Sequence, residues 1–325
     1  MTASATRVRA GVELSGNVMR YAEVDLGPKG FAAEVAGAQV GPRLLRLGAC
    51  DFDFDASAAI LDPSGPTHLD TIARAVKEIF GSSGAERLCM AVHPWQATSF
   101  FAPLAAGMPA AERFEQLRQE AAMLADARQP RPVRVTATPV RVEKTPAGQA
   151  YHWHHVLRLP EAVHARVEHV AQRVGAGVPH SFVDSAGAAA AVASALGSMD
   201  GVAGDEGETP FALAVGVFGP CIELALTRGD AWYHSAWAEA SELSDSAYFG
   251  AALLERLNVP RHQVRRLFLY GEAADAALVS GLEDLLAVES RPLDPMRVFK
   301  RGNTGADPLS LSAFASCVGA ALRCG

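Results

Sequence analysis

The chain has 325 residues, which at about 100 to 200 residues per domain predicts two domains or one large divided one and excludes a short scaffold. Hydrophobic residues make up 49% and charged residues 20%, a globular composition that excludes a long disordered or fibrous chain. With 29 basic against 36 acidic side chains the net charge is −7, so the field of the whole molecule does not attract nucleic acid or anionic lipid. Cys50, Cys89, Cys221, Cys317 and Cys324 are odd in number and show no CxxC or zinc-ligand spacing, which points to a reducing, cytoplasmic compartment. No apolar run is long enough to span a bilayer, and residues 1–14 lack the apolar core of a signal peptide, so any membrane role is expected to be peripheral.

Residues 8–26 read as two apolar strands joined by a tight turn at Ser15, Gly16 and Asn17. A further β element is expected within 44–54. Asp70 is placed to cap a helix reaching Phe80, on which Ile72, Ala73, Val76, Ile79 and Phe80 recur at helical spacing. Residues 88–92 read as a buried strand. Pro109 opens a helix over 110–125 with Phe114, Leu117, Ala121 and Leu124 on one face. Alternation over 133–142 and 151–159, either side of a turn at 145–148, predicts a β-hairpin in a small α/β insert. A helix at 161–174, a strand at 181–184 and an Ala-rich helix follow. The segment 197–210, rich in Gly and acid with little to bury, reads as a linker and as the domain boundary. Beyond it the opening pattern repeats: strands at 211–217, 221–227 and 231–236, a helix at 244–257, a strand at 267–270, a loop at Gly271, and helices at 275–286 and 310–321. The repetition implies a duplicated fold.

Three constellations have ordinary structural explanations. Asp51, Asp53 and Asp55 match the opening of a calcium loop, but Ala56 stands where the turn Gly belongs and no Glu closes it. A strand with Phe52 and Phe54 inward and its carboxylates in solvent is expected instead. His152, His154 and His155 have no Cys or carboxylate close in sequence and are expected on a solvated hairpin face. Cys89 and Cys221 lie in apolar strands and read as core residues.

Two hairpins at equivalent places in two halves, with a third turn after a late strand, are where a phosphate-clamping ATPase puts its ligand contacts. Gly-rich turns let backbone NH groups approach phosphate, and a carboxylate beside each turn holds the hydrated metal. Residues 11–20, GVELSGNVMR, resemble the first phosphate motif of the actin-like ATPase superfamily, within it the type IV pilus assembly family PilM, with FtsA as a cousin. LCMAVHPWQATSFFAPLAAGMP is similar to the strand entering the insert of that family. WHHVLRLPEAVHARVEHVAQRVGAGVPHSFVDSAGAAAAVA is similar to the stretch leaving it. LFLYGEAADAALVSGLEDLL resembles the adenosine-side Gly-Gly loop and helix, and LDPMRVF the Pro segment after it.

The resemblance implies an actin-like (ribonuclease H-like), duplicated two-domain α/β fold. The first domain would span 1–200 with a small α/β insert at about 98–158, and the second 210–325 with a last helix, about 310–321, returning to the first. It also assigns a nucleotide site to Glu13, Ser15, Gly16, Asn17, Arg20, Gly216 and Gly271, and that site departs from the family pattern. Gly216, Val217 and Phe218 replace an acidic D-[IL]-G, Pro220 removes an NH donor, Glu272 replaces the second adenosine-side Gly, and Glu13 is longer than the family Asp. The expectation is a pseudo-ATPase with no catalytic or metal-binding residues, which binds magnesium ATP weakly or not at all.

The implied function is a cytoplasmic scaffold of a type IV pilus assembly machine, held at the inner membrane by the N-terminal tail of a PilN-like partner and linked to pilus motor components. Trp95, Phe100, Phe101 and Leu104, at the junction with the insert, are the expected peptide groove. The net charge would favour a basic tail. The alternatives are a working actin-like ATPase or kinase and a type II secretion GspL-like cytoplasmic scaffold.

Overall fold

The computed structural model describes residues 7–27, 41–62, 64–65, 67–124, 132–145, 147–174, 179–199, 209–239, 245–273, 279–299 and 307–324. Most of the linker expected at 197–210 lies outside the described residues, as does the start of the helix expected at 275–286.

The chain opens with β1 (Val8–Ser15), β2 (Val18–Asp25), β3 (Arg43–Asp51), α1 (Ala56–Leu61), α2 (Leu69–Phe80) and β4 (Arg87–Val92). The insert follows as β5 (Thr98–Ala105), α3 (Ala110–Met123), β6 (Val133–Lys144) and β7 (Ala150–Pro160). Next come α4 (Glu161–Val174), β8 (His180–Asp184) and α5 (Ser185–Met199). The second half holds β9 (Phe211–Phe218), β10 (Cys221–Arg228), β11 (Ala231–Glu239), α6 (Asp245–Arg256), β12 (Val264–Tyr270), α7 (Ser280–Leu286), β13 (Ser290–Pro292), α8 (Pro308–Ser312) and α9 (Ala315–Arg323). The two main sheets repeat one topology, β3-β2-β1-β4-β8 and β11-β10-β9-β12-β13. In each, an antiparallel hairpin is followed by parallel strands, β1 beside β4 and β9 beside β12.

Period-two alternation decides which residues face which layer. On β9, Leu213, Val215 and Val217 pack outward with Leu253, Leu254 and Leu282 of α6 and α7, while Ala212, Ala214 and Phe218 face inward. On β1, Val8, Val12 and Leu14 join Ile60, Ile72, Val76, Val163 and Val167 of the outer helices. Between the sheets lie α5 and α9, and their contacts are made of small residues, among them Ala186, Ala189, Ala193, Cys317 and Ala321. Small side chains let the backbones approach closely. A Cβ on Gly319 would overlap the carbonyl of Ala188, and one on Gly11 would overlap the carbonyl of Cys317. Thus α9, last in sequence, packs against β1, β2 and β4 of the first sheet and against α5.

The insert is a three-stranded antiparallel sheet, β5-β7-β6. Pro103 is tolerated in β5 because that strand is an edge. Being central, β7 buries His154 and His155 at 9% and 3% exposure, so these histidines are not on a solvated face. On α3 only Leu117 and Ala121 are buried, whereas Phe114 and Leu124 are exposed at 52% and 51%. The DFDFD segment is not a continuous strand: β3 ends at Asp51, and Asp55 caps α1 by accepting from the Ala58 amide at 2.8 Å. Helix α2 starts at Leu69 with Asp70 in its first turn and His68 at the cap position. The last expected helix is two, broken at Ala313 and Phe314.

The Gly319 contact yields a stability prediction. Gly319→Val should destabilise the fold by about 1–3 kcal/mol or more through overpacking at the crossing with α5. Gly107→Ala, which meets nothing within 4 Å, should change stability little. Urea denaturation of both variants checks this.

Candidate functional site

The alternation that fills the outer cores also decides which side chains meet between the sheets. Glu13 and Gly216 are the sixth residues of β1 and β9 and occupy equivalent inward positions; their hairpin partners are Arg20 and Glu223. His93 follows β4, and Phe218 and Tyr270 end β9 and β12. All of these inward groups sit at the same end of the two sheets.

They form one buried network. His93, fully buried, places Nδ1 2.6 Å from Glu223 Oε1 and Nε2 3.3 Å from Glu13 Oε1, so one imidazole joins a carboxylate from each half. Glu223 also accepts from Ser185 Oγ at 2.5 Å and from the Tyr270 hydroxyl at 2.7 Å. Burial opposes the imidazolium, but Glu223 and Glu13 outweigh it and raise His93 to about 10. Burial, and then Glu223, push the Tyr270 phenol well above its ordinary value, so it stays a donor. The His93 ring stacks on Trp95 at 4.5 Å and meets the edge of Phe218 at 4.4 Å, which shuts water out.

A second pair crosses between the halves: Arg20 Nη1 lies 2.8 Å from Glu272 Oε1 and 3.8 Å from Glu13 Oε2. Glu272, which the resemblance sets in place of an expected second Gly, is therefore the partner of Arg20. Gly271 has φ +100 and a Cβ there would overlap the Val217 backbone, so only Gly fits. Beside Gly216, the space a side chain would need is filled by the Tyr270 ring. Ser15, Gly16 and Asn17 form the β1–β2 turn, whose bonds go elsewhere: the Gly16 carbonyl accepts from the Ser57 amide at 3.1 Å, and Asn17 Nδ2 donates to the Phe52 carbonyl at 3.3 Å. Of the seven positions assigned to nucleotide, the structure gathers Glu13, Arg20, Gly216 and Gly271 around the network and leaves the three turn residues at its edge.

Next to it Asp184 caps α5, accepting from the amides of Ala186 at 2.9 Å and Gly187 at 3.2 Å. Burial, then Glu223, raise its carboxyl to about 7. His155 Nε2 lies 3.6 Å from Asp184 Oδ2, yet burial, then Arg323 and His234, lower this histidine to about 3, so it is neutral.

The aromatic residues at the insert junction divide. Trp95, Phe100 and Phe101 line a cavity of about 630 Å³ together with Arg141, Trp153, His234, Trp237 and Arg256. Leu104 does not: it is buried in the insert core with Ala102, Leu117 and Val156. Phe101 stacks on His234 at 4.3 Å and meets Trp232 edge-on at 5.2 Å. The cavity thus lies where the segment after β4, the insert, β11 and the end of α6 meet.

His93, Glu223, Asp184 and Tyr270 were not singled out from sequence. Glu223 carried a signal, being the one charge inside the apolar run of β10, and a lone charge in a buried strand requires a partner.

The network makes stability depend on pH. With a folded value raised to about 10, the contribution of His93 is complete below pH 6.5 and is lost as pH rises toward 10. From pH 7 to 9 it should remove about 1.4 kcal/mol per pH unit. Chemical denaturation across that range should show a slope shallower by this amount in His93→Gln.

No family model and no curated protein matches the chain. Solved structures do. A chain of the PilM-PilN type IV pilus biogenesis complex superposes with a TM-score of 0.63 at 16% identity, covering 97% of this chain and 98% of that one. A protein with actin-like ATPase fold and unknown function from Bacteroides thetaiotaomicron superposes with a TM-score of 0.52 at 10% identity, covering 92% and 98%. The chain therefore has the actin-like, duplicated α/β fold, and its own first half carries the small α/β insert.

Proposed function

We propose that the chain is a PilM-like scaffold of a type IV pilus assembly machine. It holds the N-terminal cytoplasmic tail of a PilN-like inner-membrane partner, and it neither binds nor hydrolyses ATP to do so. The observation that carries the reading is the His93 network. The carboxylates that would face a hydrated metal are engaged by the protein's own imidazole, hydroxyls and guanidinium, and Tyr270 fills the space beside Gly216. A ligand entering there would have to break buried, charge-assisted contacts worth on the order of 1.5–3 kcal/mol each. Likeness to a PilM-PilN chain over nearly the whole length supports the assembly role.

In this reading residues 1–200 and 210–325 are the two domains, and the groove bordered by Trp95, Phe100 and Phe101 receives the tail. The protein works at the cytoplasmic face of the inner membrane through its partner, and links to motor components from there. Among the described residues no helix is long and apolar enough to cross a membrane, in keeping with attachment through another protein.

Calorimetric titration with magnesium ATP should give no binding heat up to millimolar nucleotide; a micromolar Kd contradicts the proposal. Gly216→Asp with Phe218→Gly should not restore binding, because a new side chain at 216 meets the Tyr270 ring. Only a further Tyr270→Ser would make room. Titration with the partner's N-terminal peptide should give binding that weakens by about 2 kcal/mol in Trp95→Ala, the size of a hot-spot truncation.

A further inference from the structure

The local charge of the aromatic groove is opposite to that of the molecule. The chain carries −7 overall, yet no carboxylate is among the described residues lining the groove, and two arginines are. They differ in availability. Arg141 is a fixed part of the wall, held between the rings of Trp153 and Tyr233 at 4.2 Å each and paired with Glu143 at 3.0 Å. Arg256, in the last turn of α6, is exposed and makes no ion pair among the described residues. Burial lowers His234 to about 4, so the ring stacked on Phe101 is neutral and does not compete for an anion.

The apolar part of the groove is equally specific. Trp95 and Trp237, the latter 43% exposed, face each other from the two halves with ring centroids 6.3 Å apart and a 59° tilt. Such a pair presents flat apolar surface to a ring or branched chain. A lysine or arginine placed against these rings would gain cation–π attraction but would sit beside Arg256 without a carboxylate to offset the repulsion.

We infer that the groove binds an extended peptide segment in which an aromatic or branched aliphatic anchor seats against Trp95 and Trp237 and a nearby acidic side chain reaches Arg256, so that acidic rather than basic flanks favour docking. This rests on the reading of the groove as the partner's dock and names the chemistry of what enters it.

The test is selection of a displayed library of random dodecapeptides on the full-length wild-type chain, keeping those lost on Trp237→Ala. Trp237 is an exposed residue, and the fold of the variant is checked by circular dichroism. Groove-dependent peptides should be enriched in Asp or Glu within about two residues of an aromatic or aliphatic anchor. A synthetic representative should bind wild type about tenfold more tightly than Arg256→Glu, since reversal both removes an attraction and adds a repulsion at the rim. Its Lys-substituted counterpart should show the opposite order, and both differences should shrink as salt rises. Enrichment in Lys or Arg, or indifference to Arg256→Glu, overturns the charge inference and leaves the docking reading standing. If no selected peptide depends on Trp237, the dock and the inference fail together.

Discussion

A buried imidazole held between two carboxylates from different halves of the chain is the contact on which the arrangement of the molecule depends. Taking His93, Glu13 and Glu223 out of water costs several kcal/mol per ion, and mutual attraction offsets this only when the remaining lone pairs are also met. Ser185 and Tyr270 meet those of Glu223, whereas Glu13 has ion-pair neighbours in His93 at 3.3 Å and Arg20 at 3.8 Å, and neither of its oxygens accepts a hydrogen bond among the described residues. Such a pair is directional, and losing one member leaves an uncompensated buried charge, at about 3–5 kcal/mol. The network therefore specifies how the two sheets stand relative to each other, a task that apolar α5 and α9 contacts share without the same angular demand.

The duplication explains how this contact arose in the geometry. Glu13 and Arg20 face each other across the first hairpin, and Gly216 and Glu223 across the second, so the carboxylate has changed strands between the halves. Tyr270 takes the room left at Gly216, and His93 bridges to the displaced carboxylate. The Trp95 ring stacks on His93 from the other side and reaches Trp237, so one wall of the aromatic groove is also a cover of the charged network. The buried network and the open groove thus share Trp95, and the packing of one bears on the geometry of the other.

Much of this was legible in the sequence, for reasons that particular residues make plain. The strand alternation in β1 and β9, the turn at Gly16 and the repeat of that pattern from residue 211 together predict the duplicated sheets, because each signal is local. At Gly216, Phe218 and Glu272 the residues that the resemblance implies are visibly missing from the sequence. What took their place was not visible: His93 and Glu223 are 130 residues apart and come together only when the sheets close. The buried histidines of β7 were misplaced for the same reason, since an alternating strand does not reveal whether it is an edge or a centre. Phe114 and Leu124 show the converse, an apolar helical stripe only half of which the fold covers.

The most direct measurement of the account is nuclear magnetic resonance of the His93 ring in selectively labelled protein across pH, with and without excess magnesium ATP. A cation fixed between Glu13 and Glu223 predicts protons on both ring nitrogens at pH 7.5, a midpoint near 10, and signals that nucleotide does not move. A neutral ring at pH 7.5, or ring signals displaced by nucleotide, would contradict the claim that the chain's own side chains occupy the cleft.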